Sequence, residues 1–307
     1  GGVMGSHSIS AHAADEDTRN ESIKIYVNGE MVDKKDAVVS VYDSGFMLGD
    51  GIWEGLRVYN GQVAFIEDHL DRMFESAKVL DFDLQMSRQD VKDAIDMTLK
   101  ANDMYHDVHI RLMVSRGLKK KPFQDPRLSI WGPTVVVLAE FSKPSEAVLK
   151  NGLKLFTVHV VRGQPNSQDP KLNSHSKLNC ITAMTHALKA GADEALMLDP
   201  HGFVSTCNST NFFIVRKGEV WTSNGNYCMN GITRQKIIDL CRANDIPVFE
   251  RDFSLFDVYG ADEAFVTGTF GGQTPVLNID GRVIGDGVPG PMFHRLRKLY
   301  KSLAGNP

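Results

Sequence analysis

DPKLNSHSKLN, the stretch at residues 169–179, lies where a predicted strand gives way to a predicted helix. Apolar residues alternate over residues 153–161, which is typical of a strand, and helical spacing begins at Leu178. Between them stands Lys177. A lysine at such a junction can lie inside a cleft, where desolvation lowers the pKa of its amine and makes it a nucleophile toward carbonyls. The stretch therefore predicts a cleft that contains a reactive amine.

The composition excludes several classes of protein. The 307 residues are 42% hydrophobic and 23% charged, which is ordinary for a globular protein. A net charge of -4 gives no basic surface for nucleic acid, so no nucleic-acid partner is expected. The 4 cysteines form no CxxC pair and no metal-like spacing, which predicts reduced thiols in a cytoplasmic protein without a metal site. No apolar run approaches the length of about 20 residues that a membrane span needs.

The order of the predicted elements indicates two domains. Residues 1–21 are small and polar, and we expect a disordered tail there. Alternating strand and helix patterns over residues 22–141 predict a small α+β domain. Residues 142–152, SKPSEAVLKNG, have turn residues at both ends and predict an interdomain linker. A larger domain is then expected over residues 153–305.

Glycine-rich segments mark places where the backbone is expected to approach a ligand or another segment. Glycines stand at positions 45, 49, 51 and 55 of an otherwise apolar stretch, although a plain hairpin meander would also fit them. Residues 231–233, GIT, precede a predicted helix, whose first N–H groups could bind an anion. Residues 267–269, TGT, end a predicted strand. An anion site beside a reactive amine suits pyridoxal phosphate, whose aldehyde needs a lysine and whose phosphate needs backbone donors and an arginine.

Six motifs make the prediction specific, and they occur in the order EGLRVYNG, HLDRMFESAK, HIRLMVSRG, GADEALMLDPHGFVS, NGITRQKI and TGTFGGQTPV. Over residues 23–300 the chain resembles the fold-type-IV (class IV) pyridoxal-phosphate aminotransferases, which include branched-chain and D-amino-acid aminotransferases. The resemblance implies a two-domain fold of mixed α+β and α/β character, with a small α+β domain and a larger domain built on a pseudo-barrel. It also implies a cofactor between the domains and a homodimer.

The same resemblance assigns candidate cofactor ligands. Arg72 in HLDR matches the phosphate-binding arginine, and a guanidinium is suited to a phosphate. Ile232 and Thr233 match the backbone donors at the start of a helix, and Thr269 matches a hydroxyl donor.

Candidate substrate ligands follow in the same way. Arg57 belongs to an EGLR motif that resembles the branched-chain group, and Arg111 matches an arginine used for a substrate carboxylate. The backbone of Phe270 is expected to help hold the α-carboxylate. His109 replaces that group's tyrosine. This change leaves the substrate class open, and (R)-amines are among the possible substrates.

Two positions depart from the family pattern. Asn173 stands where the family has its Schiff-base lysine, and an asparagine cannot supply an amine. If the chain is already helical at Asn173, Lys177 lies one turn of about 5.4 Å further on the same face and could restore the amine. Lys171, which would share a strand face with Asn173, is the second candidate. Thr206 stands where the family has a glutamate that keeps the pyridine nitrogen of the cofactor protonated.

The resemblance therefore implies amino transfer between an amino acid or amine and a 2-oxo acid, with a branched-chain-like or (R)-amine-like substrate. Lys177 would hold the cofactor and move the proton at the substrate α-carbon. Two alternatives stay open because of Asn173 and Thr206. One is a pyridoxal-phosphate lyase, and the other is a divergent homologue that works without Schiff-base chemistry.

Overall fold

The computed structural model of the 307-residue chain describes residues 10–306. Its strands form a six-stranded sheet followed by a nine-stranded sheet. Within the described residues, no helix is both long enough and apolar enough to cross a membrane.

The first sheet is antiparallel throughout and has the strand order β2-β1-β6-β5-β3-β4. Its strands are β1 (Lys24–Val27), β2 (Glu30–Asp33), β3 (Gly51–Tyr59), β4 (Gln62–Val63), β5 (Val108–Ser115) and β6 (Thr134–Phe141). The helices of this domain are α1 (Ser44–Leu48), α2 (Ile66–Val79) and α3 (Arg88–Ala101). Helix α2 is amphipathic and buries Leu70, Met73 and Ala77 in the core of this domain, while a capping box at Ser87 starts α3.

The second sheet is mixed and curls into a half-barrel with the strand order β12-β11-β10-β13-β14-β7-β8-β9. Its strands are β7 (Leu153–Thr157), β8 (Glu194–Leu198), β9 (Val204–Cys207), β10 (Asn211–Arg216), β11 (Glu219–Thr222), β12 (Val248–Glu250), β13 (Glu263–Gly268), β14 (Gly272–Ile279) and β15 (Arg282–Val283), which pairs with β14. The helices are α4 (Glu146–Asn151), α5 (Leu178–Lys189), α6 (Ile232–Ala243), α7 (Leu255–Tyr259) and α8 (Pro291–Ala304). Phe213 and Phe265 stack at 5.1 Å in a core that α6 and α8 cover.

The linker expected at residues 142–152 separates the two sheets along the chain. Most of it is helical, because it contains α4, and the Val148 side chain of that helix is buried in the core of the larger sheet. This segment therefore packs as part of the fold.

The predicted tail needs a correction. Residues 1–9 lie outside the described residues, but residues 10–21 are ordered against the body of the protein. Ala11 is buried, and Asp17 caps a short 3-10 helix at Thr18–Ser22. The Asn20 side chain donates to the carbonyl oxygen of Phe141 and accepts from its amide, both at 2.8 Å. Polar side chains that suggested a solvated tail instead pair with backbone groups of the first sheet.

A short segment ties the two domains together at the position that matters for the site. The carbonyl oxygen of Asn173 accepts from the Trp53 amide at 3.1 Å, and the His175 amide donates to the Gly51 carbonyl at 2.9 Å. Residues 173–175 thus run along the start of β3 before the chain turns into α5. The glycine at position 51 permits this approach, because a Cβ there would lie 2.5 Å from Nδ1 of His175.

Candidate active site

A pocket of about 370 Å³ lies between the two sheets, and we call it the central pocket. Its volume is in the range of small-molecule sites. All the predicted site residues except Lys171 and Arg57 line it, namely Arg72, His109, Arg111, Lys177, Thr206, Ile232, Thr233, Thr269 and Phe270. Residues that are far apart in the sequence thus meet at one place.

Lys177 is half-buried in this pocket at the N-cap of α5. Burial lowers the pKa of its amine to about 8, and the charges of Arg162, Arg111 and Arg72 add to this effect, while Cys180 opposes it. Its Nζ atom lies 5.8 Å from the centre of the Trp53 ring. With that pKa, roughly a tenth of the amine is unprotonated at pH 7. Lys177 is therefore available as a nucleophile and as a base.

The route by which Lys177 reaches the pocket differs from the expectation. Helix α5 begins at Leu178, so the chain is not helical at Asn173 and the argument from one helical turn is wrong. Hydrogen bonds to β3 hold residues 173–175 in an irregular conformation, with one isolated bridge between Ser174 and Ile52. Lys177 reaches the pocket because the chain turns after this bridge.

Lys171, the second candidate, faces a different cavity. It is exposed and lines a neighbouring open cavity of mixed charge, which shares Arg72 and Ile232 with the central pocket. The extended conformation expected around it is wrong, because the Lys171 amide donates to Oδ1 of Asp169 at 3.0 Å and the chain turns at this point. Lys171 therefore does not share a strand face with Asn173.

Asn173 itself is fully buried and makes a structural contact. Its Nδ2 donates to the Trp53 carbonyl at 2.8 Å, and its Oδ1 is buried without a hydrogen-bond partner among the described residues. Asn173 lines the central pocket, so the position where the family has a lysine does face the site.

The other end of the pocket is suited to a phosphate. Arg72 uses Nε and Nη2 to bind Glu54, at 2.8 and 2.7 Å, whereas its Nη1 is buried without a partner in residues 10–306. Gly231 is the N-cap of the 12-residue helix α6, so the first amides of that helix face the same end. Thr267, two residues before Thr269, also lines the pocket, and its hydroxyl is buried without a partner in the described chain. These unpaired donors fit the phosphate of pyridoxal phosphate.

Glu54 fixes the position of Arg72. Burial alone would raise the pKa of this carboxyl group, but Arg72 and His69 outweigh the burial and lower it. His69 contacts Oε1 of Glu54 at 2.7 Å, so the buried carboxylate is held on two sides.

Thr206 lies buried on β9, and its hydroxyl hydrogen is used in a hydrogen bond within the protein. The hydroxyl donates to the Thr210 carbonyl at 2.7 Å. Only an oxygen lone pair is then left to face a ligand, and no carboxylate stands at this position. Glu194 lies nearby, with Oε2 3.4 Å from the Thr210 hydroxyl, but it does not line the pocket and burial raises its pKa to about 7.

The substrate side is formed by β5 and by the turn after β13. Arg111 lies 3.9 Å from the centre of the Trp53 ring, and the edge of His109 packs on Phe270 at 5.2 Å. Burial lowers the pKa of His109 to about 3, with Arg57 as the next cause, so its imidazole is neutral. The side chain of Arg57 is fully buried behind His109 and Phe270 and does not line the pocket. The structure therefore does not place Arg57 in direct contact with a substrate. Its guanidinium instead packs behind the wall of the pocket, against the ring of Phe270.

The structure also brings to the pocket residues that the sequence did not single out. Trp53 and Arg162 were assigned no role from the sequence, and both line the pocket. His12 lines it as well, although it comes from the predicted tail. A single histidine among small polar residues gives no sequence signal for this position. In residues 10–306 no group of three or more potential ligands could hold a metal ion.

Comparisons with known proteins agree on the family. The family model for class IV amino-transferases matches residues 51–279. Two Arabidopsis thaliana proteins named branched-chain-amino-acid aminotransferase-like proteins 2 and 1 are each 42% identical over 284 residues, which is 92% of this chain and 51% of each relative. The chain thus spans about half the length of these relatives. A Methanocaldococcus jannaschii protein named putative branched-chain-amino-acid aminotransferase is 38% identical over 92% of this chain and 96% of its own length.

Solved structures support the same conclusion. A branched-chain aminotransferase from the archaeon Thermoproteus uzoniensis, solved with norvaline, superposes with a TM-score of 0.82 at 29% identity. The match covers 93% of this chain and 96% of that one. The predicted two-domain fold, with a small α+β domain and a larger domain with a curled sheet, is confirmed. The chain belongs to the class IV aminotransferase family.

Proposed function

We propose that this chain is a pyridoxal-phosphate-dependent aminotransferase that moves an amino group between an amino acid or amine and a 2-oxo acid. One observation carries the proposal. The amine of Lys177, with its pKa lowered to about 8, shares a pocket with the unpartnered Nη1 of Arg72 and the N-terminus of α6. A nucleophilic amine at one end and anion donors at the other suit the two ends of this cofactor.

The phosphate would be held by four groups. These are the guanidinium of Arg72, the first amides of α6 at Ile232 and Thr233, and the hydroxyl of Thr269. Lys177 would hold the aldehyde end. When bound, pyridoxal phosphate supplies an electron-withdrawing ring that stabilises negative charge at the α-carbon of the donor.

Lys177 then acts as the base and acid of the reaction. Because the pKa of its amine is about 8, both protonation states are populated near neutral pH. The free amine would take the proton from the α-carbon of the donor. The resulting ammonium group would then give this proton to the carbon on the cofactor side of the transferred nitrogen.

Thr206 would offer a neutral oxygen to the ring nitrogen of the cofactor. Its hydroxyl hydrogen is used by the Thr210 carbonyl, so nothing at this position holds a proton on that nitrogen as a carboxylate would. We therefore expect amino transfer to be slower than in relatives that carry a glutamate here.

The guanidinium of Arg111 and the backbone at Thr269 and Phe270 would bind the carboxylate groups of the substrates. Arg111 lines the pocket, and burial lowers the pKa of its guanidinium without removing its charge at physiological pH. The donor would be a branched-chain-like amino acid or an (R)-amine-like compound.

We also propose that the working unit is a cytoplasmic homodimer. Apolar side chains at residues 38–48 are exposed, including Val38, Val41 and Phe46 with exposures of 73%, 68% and 71%. An exposed apolar patch of this kind supports an interface with a second chain. The four cysteines are all free thiols, which supports a reducing compartment.

The test is covalent labelling by pyridoxal phosphate. The purified chain is mixed with pyridoxal phosphate, reduced with borohydride and mapped by peptide mass spectrometry, and amino transfer to a 2-oxo acid is measured in parallel. We expect the label on Lys177, together with product that depends on the 2-oxo acid. A Lys177→Ala variant should lose both, whereas Lys171→Ala serves as the matched control and should keep both.

Other results would overturn parts of this proposal. A label on Lys171 would change the residue and keep the reaction class. If the folded chain takes no label, it is a homologue that works without this covalent chemistry. If it is labelled but releases product without a 2-oxo acid, it is a lyase.

A further inference from the structure

Residues 10–15, which we call the strap, contribute His12 to the wall of the central pocket. The amide of Ala11 donates to Oε1 of the buried Glu194 at 3.0 Å, and the Ala11 side chain is packed in the core of the larger domain. Further along, the carbonyl of Ala13 accepts from the Ser145 amide at 2.9 Å. The strap is therefore held in place on both sides of His12.

The strap brings the ring of His12 to the substrate side. His12 lines the pocket and stacks on Phe270 with ring centres 5.9 Å apart, while His109 packs on the same phenyl ring at 5.2 Å. The His12 side chain is exposed at this wall of the pocket, and partial desolvation by neighbouring protein atoms, followed by the charge of Arg111, lowers its pKa. Two neutral imidazoles thus stand around Phe270.

Both imidazoles have hydrogen-bonding capacity that the described residues do not use. Nδ1 of His109 is buried without a partner, and neither ring nitrogen of His12 makes a hydrogen bond within residues 10–306. A neutral imidazole has one donor and one acceptor nitrogen. A positively charged substrate group here would be repelled by Arg111, and an aliphatic group would leave the buried Nδ1 of His109 without a hydrogen bond.

We propose that His12 and His109 form a polar, uncharged end of the substrate pocket. This end selects substrates whose side chain carries an uncharged hydrogen-bonding group, such as a carboxamide, over branched aliphatic ones. A site built to hydrogen-bond a substrate rejects the analogue that lacks the polar group far more strongly than a plain apolar pocket rejects a change in size. The inference rests on the proposed amino-transfer function and narrows its donor: within the substrate class that His109 leaves open, it favours a side chain with such a polar group over the branched-chain-like one.

The test uses two carboxylic acids of nearly the same shape that cannot react. Succinamic acid ends in a carboxamide, and 4-methylvaleric acid ends in an isopropyl group. Binding of each to the full chain is measured by titration calorimetry in the presence of pyridoxal phosphate, which needs no turnover. We expect succinamic acid to bind at least tenfold more tightly. Equal affinity, or tighter binding of 4-methylvaleric acid, would overturn the inference.

Variants of His12 separate hydrogen bonding from bulk. His12→Phe keeps an aromatic ring and loses the nitrogens, so the preference for succinamic acid should fall at least fivefold, whereas His12→Asn should keep most of it. His294→Ala, which changes an exposed histidine on α8, is the control and should leave both affinities unchanged. An unchanged preference in His12→Phe would contradict the assigned role.

Borohydride labelling separates this inference from the proposed function. If Lys177 is labelled but succinamic acid is not preferred, the inference alone fails. If succinamic acid is preferred but no lysine is labelled, the polar pocket end is supported and the amino-transfer function is overturned.

Discussion

The amine of Lys177 should react with pyridoxal phosphate at a lower pH than an ordinary lysine. Only the unprotonated amine attacks an aldehyde, and burial lowers its pKa from 10.5 to about 8. We expect the initial rate of labelling at Lys177 to rise with pH and to reach half of its maximum near pH 8. Stopped-flow absorbance measures this rate, with Lys171→Ala as the background protein. A midpoint near pH 10 would show that Lys177 is solvated.

Asn173 permits a direct test of which position can carry the amine. In a Lys177→Ala background, Asn173→Lys puts a lysine at a position that lines the central pocket, so labelling by pyridoxal phosphate should return. The change also removes the hydrogen bond from Nδ2 to the Trp53 carbonyl, and we expect a loss of about 1 kcal/mol in the free energy of unfolding.

Urea denaturation and peptide mapping measure these two effects, and Lys177→Ala alone is the reference. If the double variant is folded but takes no label, the amine cannot reach the cofactor from position 173. The remainder of the site would then have diverged too.

At the scale of single residues, the sequence predicted which residues line the central pocket better than it predicted their contacts. Arg72, Thr206 and Thr269 could be found because each lies in a short motif. The free Nη1 of Arg72 could not, since it depends on Glu54 occupying the rest of the guanidinium from a different strand. His12 was missed because its position depends on the Ala11–Glu194 bond, which spans 183 residues.

Among the elements, the crossing of residues 173–175 over the start of β3 decides where Lys177 lies. The sequence placed a glycine-rich strand and a strand-to-helix junction in the right regions, and it anticipated close backbone approach at the glycines. It did not predict that these two regions pair with each other. Helical spacing is a local pattern, and it placed the start of α5 correctly at Leu178. The bridge between Ser174 and Ile52 is a long-range contact that no local pattern shows, so the condition that the chain is already helical at Asn173 is not met.

A Gly51→Ala substitution should disturb this crossing. The added Cβ would lie 2.5 Å from Nδ1 of His175 and 2.8 Å from the Val114 carbonyl oxygen, so one of the two segments has to move. We expect a loss of about 1–3 kcal/mol in the free energy of unfolding and slower labelling of Lys177. Gly163→Ala is the matched control, because a Cβ there meets only one atom, at 4.0 Å. Equal stability of the two variants in urea would contradict a tight crossing.

For the whole molecule, the order of the six motifs was sufficient to predict the family and the two-domain fold, and both are confirmed. The role of the residues before β1 was not predictable. Their composition resembles a tail, and nothing local in it indicates that Ala11 packs into the larger domain or that Asn20 pairs with Phe141. Such contacts depend on complementary backbone groups that exist only after both sheets have formed.

For the assembly of the whole molecule, the relevant feature is the patch of exposed apolar residues before and within α1. The Ser176 hydroxyl donates to the Gly49 carbonyl at 3.2 Å, so this patch adjoins the first turn of α5, where Leu178 and Ile181 are 75% and 59% exposed. Covering such a surface with a second copy would remove a large apolar area from water. We expect light scattering to give twice the chain mass of 34.0 kDa for the native protein and a monomer for Phe46→Asp.

Phe256→Asp is the control for this substitution. Phe256 is 82% exposed on α7 of the larger domain and is not part of the patch at residues 38–48, so the same change in charge and size there should leave the dimer intact. If Phe46→Asp stays dimeric, the patch is not the interface. If both variants become monomeric, the added charge rather than the position is responsible. Dissociation by Phe46→Asp alone would tie dimer formation to the surface that borders Lys177, and the rim of the candidate site would then be completed by assembly.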